Sequence, residues 1–366
     1  MKQGWEIKKL GEVCNLYQPK TISGEMLVED GKYLVYGANG VIGRYNEYNH
    51  ENSEVLLTCR GATCGAINVS EPYSWINGNA MVVQPKNNDI GKMYLQHLLK
   101  AVDWSKVITG AAQPQITRQS LSPLDISIPP REEQERIVEE LDCLSGIIEK
   151  KREQLKELDA LAQSIFYQMF GDPITNEKGW EVKKLGDIAT SQIGITYKPE
   201  NVSDNNDGTI VLRSSNIQES TLCFDDIVRV KCDIKANKYV KDGDILMCSR
   251  NGSFRLVGKV AMIANLPEPM TYGAFMTIIR SPYQAYLFAF FKSPAFRSQL
   301  TTSQTATINQ ITVKMLDEIK VALPPMELQQ EFADKIEAIE KQKELIKKSI
   351  SETENLFNAR MDYYFN

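Results

Sequence analysis

The chain has few of the residues on which most hydrolytic and redox sites depend. Two histidines occur in 366 residues, and the seven cysteines are an odd number without the spacing of a disulfide framework. No apolar run is long enough to span a membrane, and the first residues lack the apolar core of a signal peptide. We therefore expect reduced thiols and a cytoplasmic protein.

Catalytic motifs are also missing from the sequence. There is no Walker lysine motif, G-x-S-x-G or H-E-x-x-H. Cys59 and Cys64 have only His50 nearby, which is too few ligands to favour a zinc site. "SPY" at 281–283 lacks the second proline and the cofactor loop of an amino-methyltransferase, and "LDEIK" at 316–320 lacks the upstream aspartate of a nuclease. We expect no catalytic residue, metal or cofactor in this chain.

The formal net charge of −5 conceals an uneven distribution. Residues 131–172 carry a net charge of −5 and residues 326–366 carry −3, whereas residues 1–115 are neutral and residues 180–310 carry +3. The acidic side chains are therefore concentrated in two segments. The overall charge does not exclude a polyanionic partner for the two larger segments.

A ten-residue sequence motif, called a phrase below, occurs twice in the chain. "GWEIKKLGEV" at 4–13 returns as "GWEVKKLGDI" at 179–188, which is 175 residues later. Further on, "IPPREEQERIVEELD" at 128–142 aligns with "LPPMELQQEFADKIE" at 323–337 at an offset of 195. Two matches in the same order indicate an internal tandem duplication, whose second copy is 20 residues longer in its middle.

Each Pro-Pro step is followed by apolar residues at alternating spacings of four and three. This spacing is the seam of a coiled coil. We expect the two helices to pair with each other, antiparallel, and a helix of about 33 residues to span roughly 50 Å; the alternative is that each packs on its own globular domain. The seam residues are Ile137, Leu141, Leu144, Ile148, Lys151, Leu155, Leu158, Ala162, Ile165 and Met169 in the first helix, and Phe332, Ile336, Ile339, Lys343, Ile346, Ile350, Thr353 and Phe357 in the second.

The segments between the repeated phrases have a mixed α/β pattern. "SEVLLTCRG", "NAMVVQP", "DGDILMCSRNGS", "GKVAMIA" and "FMTIIRS" predict strands. "IGKMYLQHLLKAV" and "QAYLFAFFKSPAF" predict helices, and "YGANGVIGRY" and "DNNDGT" predict turns or loops. The predicted fold is mixed α+β, with two globular domains (1–130 and 173–325) separated by two long helices (131–172 and 326–366) that form an antiparallel coiled coil with pseudo-twofold symmetry.

Polar side chains near turns and strand ends are the remaining candidates for function. Arginine can bind guanine O6 and N7, and asparagine or glutamine can bind adenine N6 and N7. In both copies an arginine follows an apolar strand and precedes a glycine, as "CRG" at 59–61 and "SRNG" at 249–252. Each side chain taken alone also fits a solvated position or a salt bridge. The candidate DNA contacts are Asn39, Arg44, Arg60, Thr63, Asn77, Asn79 and Gln113 in the first copy, and Arg213, Ser214, Asn216, Arg250, Asn251, Ser253, Arg255 and Gln304 in the second.

The ordered double set of G-W-x-x-K-K-L-G phrases and Pro-Pro steps into acidic heptad helices resembles the specificity subunit of a type I restriction–modification system. The resemblance implies that each globular part is a target-recognition domain for half of a bipartite site in double-stranded DNA. It also implies that the helices set the spacer and dock two modification subunits, joined by restriction and translocase subunits. S-adenosylmethionine, ATP and Mg would then be bound by those partners, with no membrane involved.

Three alternatives remain open from the sequence. The chain could be the recognition subunit of another restriction class, whose partner both methylates and cuts DNA. It could be an enzyme that uses Lys320 and nearby acids, or a purely structural adaptor. Under the preferred interpretation, the middles of 110 and 130 residues between Trp and Gln in the two copies predict two different half-sites and an asymmetric target.

Overall fold

Short strands dominate the chain before the first Pro-Pro step. The structure, a computed structural model, describes residues 4–110, 114–203, 205, 207–302 and 309–365. The strands up to residue 130 are β1 (Glu6–Lys9), β2 (Cys14–Tyr17), β3 (Tyr33–Gly37), β4 (Gly40–Tyr45), β5 (Val55–Thr58), β6 (Ile67–Val69), β7 (Trp75–Ile76), β8 (Ala80–Pro85) and β9 (Asp125–Ile128). The helices are α1 (Leu10–Val13), α2 (Lys92–Ala101) and α3 (Arg118–Leu121).

A long helix ends each copy, and the second copy again consists largely of short strands. The first long helix is α4 (Arg131–Phe170). The strands that follow are β10 (Glu181–Lys184), β11 (Thr190–Ile193), β12 (Thr209–Leu212), β13 (Ile217–Gln218), β14 (Thr221–Leu222), β15 (Arg229–Val230), β16 (Ile245–Cys248), β17 (Val260–Met262), β18 (Met270–Tyr272), β19 (Met276–Arg280) and β20 (Lys320–Leu323). The helices are α5 (Leu185–Ile188), α6 (Gln284–Lys292), α7 (Pro294–Thr302), α8 (Val313–Asp317) and the second long helix α9 (Met326–Phe365).

The duplication is visible in the sheet topology. The chain divides into unit 1, which is Met1–Glu153 with Ile346–Asn366, and unit 2, which is Gln154–Leu345. Unit 1 has sheets in the order β2-β8-β5-β6 and β4-β3-β7, and unit 2 has the matching orders β11-β19-β16-β17 and β15-β12-β18. The β13–β14 hairpin of unit 2 lies in the longer middle of the second copy. The predicted division at residues 130, 172 and 325 stays a prediction.

The repeated phrases of each copy meet as neighbouring strands. In unit 1, β1 pairs antiparallel with β9, with Glu6 opposite Ile128. In unit 2, β10 pairs antiparallel with β20, with Glu181 opposite Leu323. The G-W phrase and the strand before the Pro-Pro step therefore form one two-stranded ribbon in each copy. This ribbon explains why both phrases are repeated while the residues between them differ.

The apolar strand predictions are confirmed, and one of the loop predictions is wrong. The five strand segments form β5, β8, β16, β17 and β19. The segment "YGANGVIGRY" is mostly strand, because β3 and β4 form a hairpin around Ala38 and Asn39, with Gly40 at a positive φ of 97°. The predicted helix "QAYLFAFFKSPAF" is two helices, α6 and α7, that are separated at Ser293 because Pro294 begins a new helix.

The long helices bury the predicted seam. Every seam residue of α4 and α9 is buried or half-buried. In unit 1, Glu140 pairs with Arg360 at 2.7 Å and accepts a 2.6 Å hydrogen bond from Tyr364, while Lys151 bonds to Ser349. Residue numbers thus fall along α4 as they rise along α9. The pairing in unit 1 is antiparallel, as predicted.

The same pairing continues within unit 2 around one charged layer and one aromatic layer. Lys343, with 7% of its side chain exposed, lies 2.8 Å from Asp159 and 2.9 Å from Glu340. Burial lowers the pKa of Lys343, but its hydrogen bonds and charge interactions with both carboxylates outweigh burial, so its pKa is raised. Phe166 of α4 contacts Phe332 of α9 at a ring distance of 5.9 Å. Among the described residues, no helix has both the length and the apolar character needed to cross a membrane.

His97 of α2 is buried against α4 in unit 1. Its side chain is 4% exposed, and Nε2 lies 2.8 Å from Asp142 Oδ1. Desolvation lowers the pKa of His97 below the ordinary value of 6.5, although the hydrogen bond and the charge of Asp142 act in the opposite direction. The neutral imidazole is therefore favoured in the folded chain.

This burial predicts acid sensitivity of unit 1. Between the lowered folded pKa and 6.5, the unfolded chain binds a proton that the folded chain does not, so the free energy of unfolding falls as pH decreases through this range. We expect His97→Gln to reduce the loss of stability between about pH 7.5 and 5.5. Urea unfolding at several pH values measures this slope. Desolvation also lowers the pKa of His50, so His50→Gln measures the separate contribution of that histidine. An unchanged slope in His97→Gln would contradict the assignment.

Candidate nucleic-acid interface

Each unit places one exposed arginine at the same point of the same sheet. Arg60 follows β5 and Arg250 follows β16, and both side chains are exposed. Arg60 forms an isolated backbone bridge with Gln115, and Arg250 forms the matching bridge with Gln310. The "CRG" and "SRNG" motifs are therefore structurally equivalent, as the sequence repeat suggested. Both arginines project where a buried strand reaches the surface.

A different residue lies beside the arginine in each unit. The Cys59 amide donates to the Asn79 carbonyl at 3.3 Å, and the equivalent Ser249 amide donates to the Phe275 carbonyl at 2.9 Å. Asn79 and Phe275 each immediately precede the next strand of their sheet, β8 and β19. Asn79 presents an exposed amide, whereas Phe275 presents a ring that is 57% exposed. The two units thus combine the same arginine with different chemistry.

The other candidates in unit 1 are divided between this end of the sheet and other places. Ala38, in the β3–β4 turn, accepts a hydrogen bond from Thr58 just before the arginine. Asn39 in the same turn accepts a 2.9 Å bond from Asn68. Thr63 is exposed in the loop that follows Arg60. Asn39, Arg60, Thr63 and Asn79 therefore belong to neighbouring segments of one surface.

Two other candidates in unit 1 make hydrogen bonds within the domain. Arg44 lies near the far end of β4, where Nη1 donates to the Gly31 carbonyl at 3.2 Å. Asn77 is 3% exposed, and its Oδ1 accepts from the Ile22 amide at 3.0 Å and from Trp75 Nε1 at 3.1 Å. A buried amide with these partners is used inside the domain. We therefore leave Asn77 out of the proposed contact set, whereas Arg44 is exposed and stays a prediction.

A cleft in unit 2 gathers four of the second set of candidates. Arg213, Ser214, Arg250 and Asn251 line a cleft of about 1110 Å³, together with Asp226, Phe275 and Asn309. Asn251 Nδ2 donates to Ser214 Oγ at 3.1 Å, and the Arg250 guanidinium lies 5.1 Å from the centre of the Phe275 ring. Cation–π contact of this kind holds an arginine in place while its N–H groups stay available. The cleft is open and combines these polar groups with apolar lining residues such as Ile195 and Met276.

The remaining candidates in the second set lie outside the cleft or outside the described residues. Asn216 is fully buried and is used in backbone hydrogen bonds, so we remove it from the contact set. Ser253 and Arg255 are exposed, at the N-cap and inside the short 3-10 helix Phe254–Leu256, but they are not among the residues that line the cleft. Gln113 and Gln304 lie outside the described residues.

Sequence reasoning missed the cleft residues Asp226, Phe275 and Asn309. The sequence pattern predicted basic, amide and hydroxyl side chains near turns and strand ends, which does not include an acidic or an aromatic residue. Asn309 could have been found from the repeat, because it directly precedes Gln310, which aligns with Gln115. Phe275 could have been found as a large apolar residue in the turn "YGAF", because a residue in a turn can be exposed to solvent.

A second cleft, in unit 1, is strongly acidic. It has a volume of about 780 Å³ and is lined by Trp5, Pro130, Glu132, Glu133, Glu135, Arg136, Glu139 and Tyr363. Arg136 forms a two-point ion pair with Glu133, at 2.9 and 2.7 Å. The remaining carboxylates would repel phosphates. None of the candidate DNA contacts lines this cleft, so it lies outside the candidate DNA surface.

Cys59 and the segments "SPY" and "LDEIK" make contacts within the fold. Within the described ranges, no three His, Cys, Asp or Glu side chains are grouped so that they could hold a metal ion. The Cys59 thiol is buried, which raises its pKa to about 11. Ser281 of "SPY" donates to the Ile188 carbonyl at 2.7 Å, and Glu318 of "LDEIK" pairs with Lys184 at 2.7 Å.

Comparisons with known proteins point in one direction. Residues 2–159 and 177–355 both match the family described as type I restriction modification DNA specificity domain. The MjaVIII specificity subunit of Methanocaldococcus jannaschii is 21% identical over 97% of this chain and 92% of its own length. The EcoKI specificity subunit of Escherichia coli K12 is 28% identical over 44% of this chain and 36% of its own length. The crystal structure of an S subunit from M. genitalium has a TM-score of 0.60 at 14% identity, and the match covers 98% of this chain and 95% of that one.

Proposed function

Because the chain belongs to the type I restriction–modification DNA specificity family, we propose that it is the non-catalytic subunit that selects the DNA sequence to be modified. Each unit reads one half of a bipartite site in double-stranded DNA. The observation that carries this assignment is the equivalent exposed arginine in both units, next to Asn79 in one and Phe275 in the other. A common position with different neighbours is what two different half-sites require.

The chemistry of the two pairs suggests different bases. Arginine binds guanine O6 and N7 in the major groove, which is the most common specific contact to a base. Asparagine pairs with adenine N6 and N7, whereas phenylalanine packs on the thymine methyl group. Arg60 and Asn79 therefore suit neighbouring guanine and adenine, and Arg250 and Phe275 suit guanine next to thymine. The complete target is asymmetric.

Catalysis belongs to partner subunits in this proposal. Two modification subunits bind S-adenosylmethionine and methylate adenine, and restriction subunits add ATP- and Mg-dependent translocation and cleavage. The acidic outer faces of α4 and α9, and the cleft lined by Trp5 and Glu132 in unit 1, offer a surface for basic regions of a partner protein. The cytoplasm, where these partners and the DNA are present, is the proposed location.

The test is to map the methylated sequence in cells that express this chain with its modification subunits. Arg60→Ala is expected to relax one half-site and Arg250→Ala the other, at a cost of about 1–3 kcal/mol for each lost bidentate guanine contact. Methylome sequencing of each variant shows which half of the motif has changed. In each variant the other half-site serves as the internal control, because the same complex must still select it.

Two outcomes would contradict the proposal. If either variant weakened modification equally at all sequences, the arginine would be a phosphate contact without a role in specificity. If the purified chain methylated or cleaved DNA without partners, it would be an enzyme in its own right. Lys241→Ala provides a surface control, since Lys241 is an exposed cation in unit 2 that is neither a candidate DNA contact nor a residue of the cleft.

A further inference from the structure

An arginine and an aspartate are held side by side in the cleft of unit 2. Arg213 Nη2 lies 2.8 Å from Asp226 Oδ2, and the two side chains are 34% and 62% exposed. The buried Asn216 fixes this arrangement, because its Oδ1 accepts from the Arg213 backbone amide at 2.8 Å and its Nδ2 donates to the Asp226 carbonyl at 3.0 Å. The ion pair is therefore positioned by the backbone, in contrast to a chance contact between two long side chains.

The guanidinium of Arg213 has a defined orientation. Its Nε is buried, with no acceptor among the described residues, so the two terminal nitrogens are the groups that can reach a ligand in the cleft. Nη2 is the terminal nitrogen nearest to the carboxylate of Asp226. An incoming molecule thus meets two donors, Nη1 and Nη2, followed by an acceptor, the carboxylate.

This order of groups matches one base pair. Across the major groove, a G·C pair presents two acceptors, guanine N7 and O6, and then one donor, cytosine N4. Guanine O6 and cytosine N4 are hydrogen-bonded to each other, so they are about 2.9 Å apart. The 2.8 Å between Nη2 and Oδ2 is the same spacing. Nη1 and Nη2 can therefore bind guanine while the carboxylate accepts from cytosine.

The other base pairs do not fit this order. An A·T pair presents the acceptor N7, the donor N6 and the acceptor O4 of thymine. Nη2 would then face a donor, and the carboxylate of Asp226 would face an acceptor. A reversed C·G pair places its donor first, opposite Nη1. Each mismatch places a donor opposite a donor or an acceptor opposite an acceptor. Such unfavourable contacts are one way in which a protein rejects a wrong base.

We propose that Arg213 and Asp226 together read one G·C base pair in the half-site of unit 2, a role that rests on the proposed function in DNA recognition. In unit 1 the equivalent position is Gly37, because β3 pairs with β7 as β12 pairs with β18, with Tyr36 and Leu212 as the last paired residues before it. The pair of Arg213 and Asp226 is therefore specific to unit 2 and its half-site. Asn216 acts as a positioning residue for both members.

The experiment uses the full chain in complex with its modification subunits and DNA duplexes in which the unit 2 half-site is randomised. The wild-type complex is expected to prefer one G·C pair over the other three base pairs at one position by about 5- to 150-fold. Asp226→Ala and Arg213→Lys should each reduce that preference and leave all other positions unchanged. The double variant with Arg213→Ala and Asp226→Ala should lose less preference than the sum of the two single losses, because the two side chains contact the same base pair.

Asp207→Ala is the matched control. Asp207 is also about half-exposed in unit 2 and pairs with Lys231, but it does not line the cleft. Removal of this carboxylate should change the affinity for all duplexes by a similar factor. The half-site of unit 1, selected by the same molecules, reports whether each variant complex is folded.

The possible results separate cleanly. If Asp226→Ala behaved like Asp207→Ala, with one uniform change for every duplex, Asp226 would only neutralise Arg213 and the proposal would be overturned. The absence of any G·C preference sensitive to Asp226, while the half-site of unit 1 is still selected, would overturn it as well. A wild-type complex that selects neither half-site would instead refute the proposed function.

Discussion

Phe332→Ala is expected to destabilise unit 2 by about 3–5 kcal/mol, the usual cost of deleting a large aromatic side chain from a packed core. Phe332 is 1% exposed, and its ring lies 5.9 Å from Phe166 and 5.0 Å from Phe170. Tyr286 completes the cluster, 4.9 Å from Phe170. The two phenylalanine rings at the end of α4 therefore contact Phe332 of α9 as well as Tyr286 of α6, and the substitution removes the α9 side of this cluster.

Thermal and urea unfolding of the purified chain measure this effect, with an expected decrease in melting temperature on the order of 10 °C. Leu345→Ala is the matched control, because Leu345 lies on the same helix but is 69% exposed. Its replacement should change stability by less than about 0.5 kcal/mol. Equal effects of the two substitutions would show that the aromatic cluster does not stabilise the pair of helices.

The second large effect concerns the spacing of the half-sites. We propose that α4 and α9 set the length of the DNA between them. In unit 1, Lys151 meets Ser349 and Glu140 meets Arg360, so residues 144–150 of α4 lie opposite residues 350–356 of α9. Deleting both heptads keeps the remaining seam in register. It shortens the pair by about 10.5 Å, or about three base pairs.

Methylome sequencing should then return the same two half-sites with a spacer about three base pairs shorter, or no modification at all. Deletion of a single heptad from α4 alone is the informative control, because it puts the paired seams out of register and should destabilise the chain. An unchanged spacer in a stable double-deletion variant would mean that the helices do not determine the spacing.

Much of the architecture could be predicted because it depends on local patterns. The 3.5-residue period of α4 and α9 follows from residues a few positions apart, and all of the predicted seam residues are buried or half-buried. The equivalence of Arg60 and Arg250 follows from a repeat that can be read directly from the sequence. These features need no knowledge of how distant segments meet.

The direction of individual amide side chains could not be predicted. Asn77, Asn216 and Asn79 are all asparagines in turn-like sequence. The first two are nevertheless buried, and the third is exposed. The difference arises from tertiary partners, such as Ile22, which lies 55 residues before Asn77 in the chain. Asp226 was missed for a related reason. Its proposed role in base recognition depends on contact with Arg213, which belongs to a different segment of the chain.

The ribbons β1–β9 and β10–β20 have a consequence for how such a chain can change. The segment that differs between the two copies begins after the first strand of the ribbon and ends before the second strand. Because these two strands are hydrogen-bonded to each other, the two ends of the differing segment lie close together. A middle is therefore topologically an insert with closely spaced ends, which long or short sequences can occupy at little entropic cost. Genetic replacement of the segment that lies between the two strands of one ribbon would therefore change one half-site and leave both long helices unchanged.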